Sequence, residues 1–428
     1  MSKWRKKQLQ EIAFLKPTET LKKGDIAPNI PMANIKEFQR DVVKIDYGEF
    51  RGGTKFRNGD TLLAKITPCL ENGKTAFVNC LQEDEIGFGS TEFIVLRAKE
   101  NIDERFLYYL SISPEFRKQA ISLMEGTSGR KRVNENALKI SDFLIPDFEE
   151  QRKIANILSA IDDKIQINNQ INQELEAMAK TLYDYWFVQF DFPDQNGNPY
   201  KSSGGKMVYH QDLKREIPEG WGVTTFSSWI SDNKTGDWGK ETSEGNYTLE
   251  VDCIRGADIN GLSGNGKTDM PTRFILEKNK NKLLTDFDIV IEISGGSPTQ
   301  STGRIVGISE NVLNRFDLPL ICSNFCKAVS LKEQETFYNF VYEWKNLYDN
   351  GVLFSWEGKT SGIKNLLFDS FVTNYHIAQP PIDLMKQFFD YASSVDKKTQ
   401  LLLKQNQELT QLRDWLLPML MNGQVKVE

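Results

Sequence analysis

The sequence predicts an α+β protein: two similar α/β globules separated by two long antiparallel coiled-coil helices, an internal repeat with approximate twofold symmetry. Three observations predict this. Residues 149–175 (EEQRKIANILSAIDDKIQINNQINQEL) recur at 383–409 (DLMKQFFDYASSVDKKTQLLLKQNQEL), with the same DxKxQ and NQEL cores. The two stretches pair without gaps at an offset of 234, matching Asp162 with Asp396, Lys164 with Lys398 and Gln166 with Gln400. Upstream matches stay collinear: Thr127-Ser128-Gly129 with Thr360-Ser361-Gly362, STEF (90–93) with CSNF (322–325), Asp60 with Asp288, and Trp4 with Trp221 at an offset of 217. A series whose spacing grows only through small insertions is what a duplicated domain leaves behind.

The elements follow in order. Residues 1–146 form the first globule, where TEFIVLRA reads as a strand and ERFLYYLSI as an amphipathic helix. The first long helix spans 147–190: Pro146 breaks the preceding strand, Asp147 caps, and Glu150 stands at the capping-box position. Its apolar register is Ile154, Ile157, Ile161, Ile171, Leu175 and Met178, with polar breaks at Lys164 and Asn168. Residues 191–220, rich in Gly, Asn, Ser and Pro with an Asn-Gly turn signal, are a linker. The second globule is 221–380, with strands in FDIVIEIS and RIVGIS and a helix in FYNFVYEWKNLY. The distal helix, 381–428, carries Phe388, Tyr391, Val395, Leu402, Leu409 and Leu412, and closes at Asn422-Gly423.

A narrow apolar stripe on so long a helix needs a partner, and the economical one is the other copy. Antiparallel pairing then relates the halves by a twofold axis and puts a globule at each end of a spacer roughly 55 Å long at about 1.5 Å per residue.

Composition bounds the function. A net charge of -6 argues against nonspecific coating of nucleic acid, although basic clusters occur at 3–7, 54–57, 130–132 and 278–282. No apolar run is long enough for a membrane span and no apolar stretch follows the N-terminal basic residues, so a cytoplasmic protein is expected. Five scattered cysteines and only two histidines, His210 and His376, leave a metal site without ligands. No nucleophile and base constellation is evident, so no catalytic residue is assigned.

One motif points elsewhere. GLSGNGKT at 261–268 matches the pattern of a phosphate-binding P-loop, with Lys267 and Thr268 at the ligand positions. Such a loop must open a helix, and Pro271 in the following DMPTRF argues against one, so the segment is expected to be a glycine-rich turn.

The stretches IPDFEEQRKIANILSAIDDKI, WFVQFDFPDQNGNPYKSSGGKMV with IPEGW, CIRGADI and LRDWLLPMLMNGQVKV together resemble the specificity subunits of type I restriction-modification systems. The resemblance touches every part of the chain. It implies that the globules are target-recognition domains, each reading one half of an interrupted DNA sequence, and that the helices fix the gap and dock two methyltransferase subunits. Restriction-translocase subunits would join them. S-adenosylmethionine, ATP and magnesium would belong to those partners, with no cofactor or metal in this chain. The rival readings are a coiled-coil scaffold that ignores DNA and a P-loop NTPase.

The expected DNA contacts are loops that recur in both copies. The TSG loops bring Thr127, Ser128, Arg130, Lys131 and Arg132 in one half, and Thr360, Ser361 and Lys364 in the other. Their small residues allow close approach and their cations suit phosphate. The segments after the paired aspartates bring Lys65, Thr67, Asn72 and Lys74, then Ser294, Ser297, Thr299, Gln300 and Arg304. Asn, Gln and Arg are the side chains able to bond two groups of one base edge.

Overall fold

The computed structural model describes residues 4–42, 44–127, 129–266, 268–297, 299–360 and 362–427, without the side chains of Lys359 and Thr360. The chain forms two compact units, residues 1–166 with 407–428, and residues 167–406. Each unit therefore owns a segment of both long helices, Phe148–Tyr183 and Ile382–Met421.

The first unit is built on a four-stranded antiparallel sheet in the order Ala13–Leu15, Phe93–Ala98, Thr61–Ala64, Thr75–Phe77. Thr61–Ala64 and Phe93 to Leu96 are wholly buried, which is why they read as continuous apolar runs rather than alternating ones. Helix Glu104–Ile112 packs Phe106, Leu107 and Tyr109 into the same core as Leu63 and Ile94. Asp103 caps it by accepting from the N–H groups of Arg105 and Phe106, each at 3.0 Å. A second four-stranded sheet runs Asp46–Glu49, Ile26–Ile30, Gly87–Gly89, Thr54–Phe56, with the central pair parallel.

The second unit repeats this plan. Its four-stranded sheet, Ile230–Thr235, Cys326–Leu331, Asp288–Glu292, Ile305–Ile308, has the same order and the same antiparallel pairings. Tyr247–Ile254 pairs in parallel with Leu320–Cys322, as Ile26–Ile30 does with Gly87–Gly89. The repeated aspartates do the same work in each. Asp60 accepts from the N–H of Arg57 at 2.9 Å and Asp288 from that of Thr285 at 2.7 Å, fixing the turn into the central strand. Each buried carboxylate is also charge-paired, Asp60 with Arg97 and Asp288 with Lys234. The cation differs while the turn is retained.

Within each unit the helix segments run antiparallel. In the first, Ile154, Ala155 and Leu158 share a core with Leu417, Leu420 and Met421, and Arg413 meets Asp162. In the second, Asn168 donates to Gln405 and Asn406, and Tyr183 lies 5.4 Å from the Phe388 ring. The first helix starts as expected, with the Glu150 N–H donating to Asp147 at 3.0 Å. It passes at Asp184–Val188 into a wider turn. The second ends at Gly423, whose φ is +71°.

The expected packing register needs correction. Ile154, Ile161, Phe388 and Leu402 are buried, whereas Ile157, Ile171, Leu175, Tyr391, Val395 and Leu409 are only half-buried. Met178 and Leu412 face solvent, at 56% and 44% exposure, so neither belongs to the seam. Asn168, a polar break of that register, is itself buried, and the buried positions outside the register include Asn172, Ala179, Tyr183 and Arg413. Asn168 to Ala179, Asn172 to Tyr183 and Leu402 to Arg413 are steps of eleven residues. That repeat suits nearly straight helices, and a seven-residue register drifts off the contact face by about 20° per heptad. No helix among the described residues is long and apolar enough to cross a membrane.

Candidate nucleic-acid interface

In the first unit, strand Thr61–Ala64 leaves its sheet at Lys65 and runs into the loop 66–74. The hairpin of Met124–Glu125 and Arg132–Val133 lies alongside it. The Val133 N–H donates to the Lys65 carbonyl at 2.9 Å and the Thr67 N–H to the Lys131 carbonyl at 3.1 Å. The Thr67 hydroxyl accepts from the Lys131 N–H at 3.1 Å and donates to the Gly129 carbonyl at 3.3 Å. Two segments some sixty residues apart, which the sequence offered separately, thus make one surface. Thr67 is consumed in holding them together.

The cations on this surface divide into two kinds. Arg132 makes a two-pronged contact with Glu92, with N to O distances of 2.7 to 3.1 Å, and holds that carboxyl below the usual carboxylate range. Lys65 pairs with Glu135 at 3.2 Å, and the Lys74 ammonium donates to the Met32 carbonyl at 3.2 Å. Arg130 and Lys131, in contrast, are exposed and make no ion pair among the described residues. Thr127 and Asn72 are exposed on the same two segments, and Ser128 lies outside the described residues. Gly126 and Gly129, at φ +131° and +87°, supply the left-handed backbone that this tip requires.

The second unit builds its surface the same way. Ser294–Gly295, just past the central strand, pairs with Ile363–Leu366, which forms a hairpin with Glu357–Thr360. The Ser294 hydroxyl donates to Asn365 Oδ1 at 2.6 Å. Thr299 and Gln300 are exposed, with the Gln300 N–H donating to the Ser297 hydroxyl at 3.2 Å. Lys364 is drawn inward to Glu357 at 3.3 Å and to the Gln300 carbonyl at 3.3 Å. Burial raises the Glu357 carboxyl pKa, but the Thr302 N–H and Lys364 outweigh it and leave the group below its ordinary value. Ser361 and the Thr360 side chain lie outside the described residues.

Arg304 is already paired. It is clamped by Glu292 at 2.6 and 2.9 Å and lines a cavity of about 320 Å³ shared with Glu176, Lys180, Tyr342 and Lys345. The sequence reading missed the carboxylates Glu92, Glu135, Glu292 and Glu357, which neutralise four of the chosen cations. Glu92 stands within the repeated STEF stretch, the one available signal.

The glycine-rich 261–268 segment begins within a single helical turn, Ile259–Leu262, and strand Thr272–Leu276 comes after it. Its Leu262 carbonyl accepts from Arg315 at 3.0 Å and Gln400 at 3.4 Å, and Asn265 donates to Glu176 at 2.5 Å. The segment is a turn docked on both long helices, without the helix whose N-terminus would face a phosphate. Lys267 lies outside the described residues.

Known proteins resemble this chain in sequence and fold. The family described as type I restriction modification DNA specificity domain matches residues 1–177. The type I restriction enzyme MjaIX specificity subunit of Methanocaldococcus jannaschii is 25% identical over 77% of this chain and 71% of its own length. The HindI specificity subunit of Haemophilus influenzae is 36% identical over 32% of the chain and 29% of its own length. The EcoAI specificity subunit of Escherichia coli is 40% identical over 24% of the chain and 18% of its own length. The fold is that of a crystal structure of a type I restriction-modification S subunit from M. genitalium, at a TM-score of 0.54 and 17% identity over 98% of this chain and 96% of that one. With the family's domain matched over residues 1–177 and a relative aligned over 77% of the chain, this chain resembles the DNA sequence-specificity subunits of type I restriction-modification systems.

Proposed function

We propose that each unit reads one half of an interrupted DNA target, that the long helices fix the gap between the halves, and that the chain itself is not catalytic. The observation that carries this reading is the duplication of one device: in both units a hairpin is laid against the segment that leaves the central strand of a sheet of identical order. Two copies of a reader in one chain suit a target with two halves. Arg130 and Lys131 would meet phosphates, and Asn72 and Gln300 would reach base edges, with Thr127, Ser297 and Thr299 nearby.

The partners in this reading are double-stranded DNA, two methyltransferase subunits and restriction-translocase subunits, acting in the cytoplasm. S-adenosylmethionine, ATP and magnesium would be held by those subunits. The purified chain is expected neither to hydrolyse ATP nor to methylate DNA, and with its cognate methyltransferase to confer methylation at one interrupted motif. Lengthening the first helix near Asn168 should change the permitted gap and leave each half intact. ATP turnover abolished by Lys267→Ala would overturn the assignment, as would an insertion that alters a half-site at constant gap.

A further inference from the structure

We propose that residues 36–40 form a strap through which the paired helices set the position of the loop 66–74, and that Phe38 is its positioning residue. The proposal rests on the reading of that loop, which bears Asn72 and Lys74, as a DNA contact. All the groups involved belong to the first unit.

The backbone of Phe38 reaches in both directions. Its N–H donates to the Gly73 carbonyl at 3.1 Å, while its carbonyl accepts from Arg413 Nη1 of the second long helix at 3.2 Å. One residue thus spans from helix to loop. Its neighbours repeat the bridge: Glu37 pairs with Lys74 in an isolated antiparallel bridge, and Arg40 donates to Asp163 at 2.6 Å and to the Ser159 carbonyl at 3.4 Å on the first long helix. The strap is therefore tied to both helices on one side and to the loop on the other.

The side chain completes the clamp. The Phe38 ring lies under the Arg117 guanidinium at 4.7 Å, and Arg117 Nη2 donates to the Glu71 carbonyl at 2.9 Å, so the loop is gripped at residues 71, 73 and 74. A Cβ at Gly73 would come within 2.6 Å of the ring, and Gly73 is itself at φ +78°. Glycine is thus needed there for both backbone and space. Phe38 has φ +55°, a conformation that bulky L-residues adopt only where the surroundings over-determine it. Yet Phe38 is 42% exposed, more than a residue held for core packing would be.

The test uses the full chain with its cognate methyltransferase, and reads base preference at every position of both half-sites by sequencing methylated DNA. Phe38→Ala and Gly73→Ala should each relax discrimination in one half-site, by roughly tenfold at the affected positions. The other half-site and the gap should stay as they were, and Phe38→Tyr should restore the preference. The unaffected half-site serves as an internal control for folding. Asn72→Ala and Lys74→Ala should act on the same half-site as Phe38→Ala. If those two variants alter that half-site and Phe38→Ala does not, the strap is refuted while the DNA-contact reading stands. If none of the variants alters either half-site, the loop is not a reader and the strap proposal falls with it.

Discussion

Arg413 Nη1 donates to Asp162 Oδ1 at 2.9 Å, with the two side chains only 6% and 5% exposed. The second carboxylate oxygen accepts from the Tyr109 hydroxyl at 2.7 Å, so the charge is fully engaged between helices and lobe. Burial would lower the Arg413 pKa, but Asp162 and Asp414 more than offset it. The repeat breaks at this point. Asp396 stands where Asp162 does one repeat earlier, but the position equivalent to Arg413 is Ala179. Asp396 instead accepts from the Ser309 hydroxyl at 2.6 Å and from Gln400 at 3.3 Å, with no ion pair among the described residues.

The pair predicts a large loss on truncation. Arg413→Met leaves a buried carboxylate without its cation, a change that costs about 3 to 5 kcal/mol. Urea unfolding should show the drop, and the double variant with Asp162→Asn should recover much of it, since the uncompensated charge is then gone. A loss below about 1 kcal/mol in the single variant would mean that the pair contributes little beyond an exposed ion pair.

Asp396 predicts a pH dependence of the opposite kind. Burial, only partly offset by the Ser309, Gln400 and Asn311 hydrogen bonds, raises its carboxyl above the ordinary value of 3.8. A carboxyl with a raised folded pKa binds its proton more tightly in the folded chain than in the unfolded one. Its contribution is therefore least favourable at neutral pH, improves as the pH falls through the folded value, and levels off below the unfolded value. Asp396→Asn keeps an acceptor for Ser309 and removes the titration. The variant should unfold at a higher temperature than the parent near pH 7, with the difference shrinking as the pH falls and vanishing below about pH 3. Calorimetry across that range decides it: a gain of the same size at every pH would assign the effect to packing.

The repeat was legible because duplication preserves spacing, and the Asp60 and Asp288 turns preserve it through one short local contact each. The seam was not, since its central buried positions are amides and charges. A search for apolar stripes passes over Asn172, Gln400 and Arg413 and settles on Met178 and Leu412, which are exposed. In the candidate interface the loops were visible as small residues beside cations, but pairing across the sheet was not. That Arg132 belongs to Glu92 and Lys65 to Glu135 is decided by segments meeting in space, and the repeated stretch that holds Glu92 does not say which cation it pairs with. The strap at 36–40 has neither periodicity nor a turn signal, and only its partners define it.

That division among the cations yields the last prediction. Arg130 and Lys131 are exposed beside a loop tip and free of carboxylates among the described residues, so on DNA each can displace a condensed counterion. Arg132 is already neutralised by Glu92 and would have to give up a two-pronged contact before reaching a phosphate. In binding titrations of the assembled complex at several salt concentrations, the double variant Arg130→Ala with Lys131→Ala should reduce the steepness of log K against log salt by about 2. Arg132→Ala should leave that slope within about 0.3 of the parent, and its effect should appear instead as a small loss of stability in the Glu92 hairpin contact. If Arg132→Ala flattened the slope as much as the double variant, the Glu92 pair would have to open on DNA, and the ranking of these three cations by their protein partners would be wrong.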